Sequence, residues 1–128
     1  MSATNGNAAP VILILEDEAM ILLEMSFAIE DHGAEAIQAP SVRSALEAIE
    51  KARPDAAILD VNLGRNTTCE AVATRLGELN VPFVLHSGDL VRQGELIARI
   101  GAEVIPKPSS SDHVASRAIA LARETRET

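Results

Sequence analysis

The sequence predicts an α/β fold in which a parallel sheet of five strands is covered by helices on both faces. Two observations lead there. Short apolar runs alternate five times with helix-like stretches, the pattern of repeated strand–helix units. The first, third and fourth runs, VILIL (11–15), DAAILD (55–60) and PFVLHS (82–87), are mostly apolar along their length, as central parallel strands buried on both faces are. A chain of 128 residues suits one domain and can bury roughly two-thirds of its unfolded surface.

The elements follow in order. MSATNGNA is small and polar, so residues 1–9 are expected to be a disordered tail and 10–128 the folded domain. Strand one is VILIL. A helix near 18–31 comes next, and Gly33 is placed to end it with a positive φ. Its apolar residues make two stripes. Ile21, Leu22, Met25, Ala28 and Ile29 form one face at helical spacing. Met20, Leu23 and Phe27 form a second, which a surface helix does not need for its core contact and which is a candidate partner surface. AEAIQA (34–39) is strand two. Ser41 is placed to cap a helix near 41–53, and Pro54 punctuates the approach to strand three. Thr67 and Glu70 have capping-box spacing for a helix near 67–79. Pro82 precedes strand four, a helix is expected near 90–100, and Gly101 ends it. EVI (103–105) is strand five. Ser109 with Asp112 is a weaker capping signal for a last helix near 110–125. There is no internal repeat and no linker to a second domain.

Composition excludes several functions. The net charge is −8, with a pI near 4.8, which argues against gripping a nucleic-acid backbone. Phe27 and Phe83 are the only aromatic residues, so stacking on bases is not expected. One cysteine, Cys69, rules out an internal disulfide. The five-residue run VILIL is far short of the ~20 residues that cross a bilayer and has no basic segment before it, so a cytoplasmic protein is expected.

The chemistry lies at one rim. In open α/β sheets, ligands bind beyond the carboxyl ends of the strands. Glu16 and Asp17 follow strand one, Asp60 ends strand three, Ser87 ends strand four, and Lys107 lies just past strand five. Like charges about 5 Å apart repel by about 3 kcal/mol at an effective dielectric of about 20. Three carboxylates at one rim therefore call for a counter-ion, and a few hard oxygen ligands with open water positions suit Mg²⁺. Lys107 can offset one charge or hold a phosphoryl oxygen, and Ser87 offers a hydroxyl. Gly88 permits close backbone approach. Such a rim suits a carboxylate that becomes an acyl phosphate. Taken singly, each residue also has an ordinary role: Asp60 as a turn residue, the acidic run as a charge at a helix start, Lys107 as a solvated loop lysine.

VILILEDE, AAILDVNLG, HSG and GAEVIPKP together resemble the receiver domain of two-component response regulators, over residues 11 to about 124. The resemblance implies a flavodoxin-like (βα)5 sandwich with strand order 2-1-3-4-5, the order of the chemotaxis receiver CheY. It implies Asp60 as phosphoacceptor, Glu16 and Asp17 as the metal-binding acidic pair, and the Asn62 backbone carbonyl as a further Mg²⁺ ligand. Ser87 and Lys107 match the hydroxyl and amine that contact the phosphoryl group, and Glu16 stands where Asp is usual, its longer arm reaching the metal through water. It also implies a cis Lys107–Pro108 peptide. The phosphodonor would be a histidine kinase or phosphotransfer protein, the chain a stand-alone receiver signalling by protein–protein contact, not an enzyme beyond slow self-dephosphorylation. Met20, Leu23 and Phe27 would serve docking or self-association.

Two departures from the pattern carry information. Receivers often have an aromatic residue three positions before the lysine; here it is Val104. The Ser87-to-Lys107 interval is short, so the fourth helix is expected to be reduced. PFVLHSGD resembles the PFxFATGY stretch of an alphaproteobacterial subgroup often paired with HWE-type histidine kinases, with His86 in place of a small residue and Asp89 in place of Tyr. His86 is expected either to titrate beside the site or to pack at the strand end. His32 and His113 lie near helix ends without partners at metal-ligand spacing. Two rival readings are a pseudo-receiver that only binds and an aspartyl-phosphate hydrolase.

Overall fold

A computed structural model describes residues 8–127; most of the expected N-terminal tail, residues 1–7, lies outside the described residues. The elements are β1 (Val11–Leu15), α1 (Ala19–Asp31), β2 (Glu35–Ala39), α2 (Val42–Lys51), β3 (Ala56–Asp60), α3 (Glu70–Glu78), β4 (Phe83–Ser87), α4 (Gly94–Ile100), β5 (Glu103–Pro106) and α5 (Ser111–Glu127). All strand pairs are parallel, in the order β2-β1-β3-β4-β5. This is the doubly wound α/β flavodoxin-like fold, with the expected strand order.

Side-chain alternation divides the strands between two cores. Ile12, Ile14, Ile58 and Val84 face a core built with α1 and α5, where Met25, Ile29, Ala115 and Ala118 are buried. Leu13, Leu15, Leu59 and Leu85 face the other, built with α2, α3 and α4. Each fully buried aliphatic side chain contributes about 1.5–3 kcal/mol, so the central strands, buried on both faces, anchor the sheet. At the rim opposite the site, the Val11 N–H donates to the Asp55 carboxylate at 2.7 Å, and the Asp55 N–H donates to the Val11 carbonyl at 2.8 Å. That exchange locks β1 to the start of β3.

Several local signals behave as expected. Ser41 caps α2: its hydroxyl accepts from the Ser44 N–H at 3.1 Å, and Ser44 reciprocates at the Ser41 N–H. Gly33 and Gly101 follow α1 and α4 with φ of +83° and +75°, a region that costs glycine nothing sterically. The Lys107–Pro108 peptide is cis. The helix after β4 is reduced to Gly94–Ile100, preceded by a turn through residues 89–93.

Two caps differ from expectation. α3 starts at Glu70, with no capping box from Thr67. Thr67 is committed elsewhere: its N–H donates to Gly64 and its carbonyl accepts from Leu63, closing a small hairpin over 61–69. At α5 it is Ser110, not Ser109, whose hydroxyl accepts from the His113 N–H, at 3.0 Å. The Ser109 hydroxyl turns back to donate to the Pro106 carbonyl.

Candidate functional site

The carboxyl ends of β1, β3, β4 and β5 meet at one rim, and the side chains singled out in the sequence gather there. Oxygen atoms of Glu16, Asp17 and Asp60 lie within 4.8 Å of one another. Glu16 and Asp60 are 3% and 5% exposed; Asp17 is open to solvent. The Lys107 ammonium reaches over both buried carboxylates, 3.4 Å from Glu16 Oε1 and 3.3 Å from Asp60 Oδ1. Glu16 Oε2 also accepts from the Glu18 N–H at 3.0 Å. The longer side chain is thereby held at both oxygens.

Burial and neighbouring charge both act on this rim. Burial and then the Glu16 carboxylate push the Asp60 pKa up to about 7, although Lys107 pulls it down. Burial opposes the charge on Lys107, but Asp60 and Glu16 outweigh it and raise its pKa. The rim thus gathers three carboxylates around one ammonium. An all-oxygen donor set with one carboxylate open to water fits Mg²⁺ chemically.

The β3–α3 loop carries Asn62. Asn62 and Thr68 pair across the small hairpin. The hydrogen bonds flanking them run from the Leu63 N–H to Thr67 and from the Cys69 N–H to Val61. Asn62 is thus a non-hydrogen-bonded pair member, and its own N–H and C=O turn outward from the hairpin. Its side chain accepts from the Gly64 N–H at 3.0 Å, which tightens the turn. Gly64, at φ +77°, lies against Asp17: a methyl there would sit 3.6 Å from the Asp17 carboxylate. Gly88 runs close beside the Lys107 stem in the same way.

Two residues reveal features that the sequence did not. The Ser87 hydroxyl is buried and donates to Gln93 Oε1 at 2.9 Å, while the Asp89 N–H donates to it at 3.3 Å. No spacing rule points to Gln93; only the Gly88-Asp89 turn signal hinted that the chain folds back here. His86 is 5% exposed and is register partner to both Asp60 and Ile105. Burial and the Lys107 charge push its pKa down to about 4, and its Nε2 has no hydrogen-bond partner. At neutral pH it is an uncharged, packed imidazole.

The remaining candidates fall elsewhere. Val104 is half-buried against the α2–α4 core. Cys69 is buried, and burial pushes its thiol up to about 12. His32 Nε2 lies 2.6 Å from the Asp112 carboxylate at the α1–α5 contact. On α1, Leu22, Met25 and Ile29 are buried, whereas Met20, Leu23 and Phe27 are 69%, 41% and 57% exposed. Among the described residues, no helix is long and apolar enough to cross a membrane.

No protein-family model matches the chain, and no curated protein is matched by its sequence. Solved structures do match. A CheY-like response-regulator receiver domain protein from Methanospirillum hungatei superimposes with a TM-score of 0.80 at 20% identity, over 93% of this chain and 98% of that one. The receiver domain of a Francisella response regulator gives 0.77 at 21% identity, over 91% and 98%. The receiver domain of NtrX from Brucella abortus gives 0.72 at 28% identity, over 85% and 98%. The chain has the fold of response-regulator receiver domains.

Proposed function

We propose that this chain is a phosphoacceptor receiver, taking a phosphoryl group onto Asp60 in a Mg²⁺-dependent reaction and signalling through protein–protein contact. The observation that carries the reading is the rim itself. A buried carboxylate, two further carboxylates and one lysine converge at the carboxyl end of a receiver-type sheet. Burial, and then the neighbouring Glu16 carboxylate, push the Asp60 pKa up to about 7, and a cation bound beside it would favour the ionised form that accepts the phosphoryl group.

In the reaction, an Asp60 carboxylate oxygen attacks the phosphorus of a phosphohistidine on a histidine kinase or phosphotransfer protein. The P–N bond breaks as the P–O bond forms, and the donor imidazole takes up a proton. Asp17, Asp60, the Asn62 carbonyl and Glu16 would hold Mg²⁺, which when bound would supply charge neutralisation at the transferred oxygens. Lys107, already across Asp60, holds one phosphoryl oxygen, and the Ser87 hydroxyl is the donor for another. Burial of Asp60 and Glu16 keeps bulk water from the acyl phosphate, so hydrolysis is slow and the chain is not a turnover enzyme.

The exposed stripe of Met20, Leu23 and Phe27 on α1 is the proposed docking face for the donor or a second copy, beside the rim. The likeness of PFVLHSGD to the PFxFATGY stretch makes an HWE-type kinase the first donor to try, in the cytoplasm. Incubation with a small phosphodonor such as acetyl phosphate tests the reading. A phosphoacceptor gives stable labelling of one phosphoryl group per chain that requires Mg²⁺. Continuous release of phosphate would instead indicate a hydrolase, and no labelling a binding module.

A further inference from the structure

We infer that Gln93 is a positioning residue for Ser87, and that phosphorylation moves the Ser87 hydroxyl from Gln93 to the phosphoryl group, releasing the start of α4. The inference rests on the phosphoacceptor reading and adds the route by which the signal leaves the site.

The geometry is specific. The Ser87 hydroxyl has one proton to donate, and it goes to Gln93 Oε1 at 2.9 Å. Ser87 Oγ itself accepts from the Asp89 N–H at 3.3 Å. A phosphoryl oxygen at Asp60 needs that proton, so Gln93 and the phosphoryl group compete for it. Gln93 is also the residue on which α4 begins. Its N–H donates to the Asp89 carbonyl at 3.1 Å, and its carbonyl accepts from the Ile97 N–H at 2.9 Å as the first bond of the helix. The Asp89 carboxylate accepts from the Arg92 N–H at 2.9 Å, which completes the turn. One side chain therefore joins the phosphosite hydroxyl to the helix start.

The segment it holds is easily moved. α4 has seven residues, none of them fully buried, and Gly88 and Gly94 flank the turn. Segments with few buried contacts open at low free energy. Val104, on β5 beside Leu85, is half-buried on the α2–α4 side.

The test uses beryllofluoride with Mg²⁺ as a phosphoryl mimic. Gln93→Met keeps the length of the side chain and removes the acceptor. It should tighten beryllofluoride binding by roughly 2–10-fold, the worth of one competing hydrogen bond. That gain should vanish in a Ser87→Ala background, which a general loosening of the loop would not produce. Amide exchange over residues 89–97 should quicken in the wild type on adding beryllofluoride. In Gln93→Met it should already be fast beforehand. Mimic binding by the wild type with no effect of Gln93→Met, or an effect that persists in Ser87→Ala, would overturn the inference alone. A wild-type chain that binds no mimic would overturn the phosphoacceptor reading and the exchange of partners with it. Should Gln93→Met fold poorly, Gln93→Leu with the same cycle gives the same two outcomes.

Discussion

Asp60 and His86 sit side by side on adjacent strands, both buried, and their protonation shifts stability in opposite directions. Asp60 holds its proton up to about pH 7 in the folded chain, against 3.8 in the reference state. Its contribution to stability is full below pH 3.8 and is lost as pH rises toward 7. His86 resists protonation until about pH 4, against 6.5. Its contribution is full above pH 6.5 and is lost as pH falls toward 4. The windows overlap, so in metal-free wild type the slopes should partly cancel. Asp60→Asn should uncover a stability that rises with pH between 4 and 6.5, and His86→Leu one that falls between 4 and 7. Urea unfolding across that range reads both, and a Asp60→Asn profile that falls instead would refute the assignment. Because His86 Nε2 has no partner, His86→Leu should also raise stability at pH 7 by about 1–2 kcal/mol. A loss would mean that the imidazole has a partner. At the metal, Asp17→Asn should weaken Mg²⁺ at least tenfold with little change in folding, since the side chain is exposed; unchanged Mg²⁺ affinity would leave Asp17 as a helix-start charge only. At this scale the sequence was informative wherever a polar residue followed an apolar run, as with Asp17, Asp60, Ser87 and Lys107. It was silent on Gln93, because a contact across a turn follows no local periodicity.

Helix α1 carries two apolar stripes that do different work. Leu22, Met25 and Ile29 pack into the core, and Ile29→Ala should cost about 2–5 kcal/mol. Leu23 and Phe27 are exposed, so the double change Leu23→Glu/Phe27→Glu should alter stability by no more than about 0.5 kcal/mol per site. It should nevertheless slow phosphotransfer from the cognate kinase or change the oligomeric state. A variant that keeps both would remove the docking proposal. Helical periodicity announced both stripes, and the one left exposed is the stripe of Met20, Leu23 and Phe27 that the sequence offers as a candidate partner surface. Boundaries were less legible. The expected start of α3 at Thr67 failed because the 61–69 segment closes on itself through backbone bonds between Leu63, Gly64 and Thr67, and tertiary closure overrides a capping signal. The same holds at α5, where Ser109 turns back toward Pro106 and leaves the cap to Ser110.

For the molecule as a whole, topology explains why residues far apart in sequence meet. A parallel sheet sends every strand's carboxyl end to one rim. The order β2-β1-β3-β4-β5 puts β1 and β3 side by side, so Glu16, Asp17 and Asp60 must crowd together. Alternation of apolar runs and helices made the five-unit sandwich legible, and the near-continuous apolar character of β1, β3 and β4 marked them as central. The strand order came from the likeness of the motifs to receiver domains, because periodicity alone does not order strands. Concentrating charge at that rim costs stability in the absence of a cation. Mg²⁺ should therefore stabilise the folded chain in proportion to the logarithm of its concentration above Kd, and Asp17→Asn should flatten that response in thermal unfolding.

The central claim is that Asp60 is the phosphoacceptor, and reductive trapping tests it most directly. After reaction with acetyl phosphate and Mg²⁺, borohydride should convert the aspartyl phosphate at position 60 to homoserine, detected by peptide mass, with nothing trapped without Mg²⁺ or in Asp60→Asn. Homoserine at another carboxylate, or full labelling of Asp60→Asn, would contradict the account.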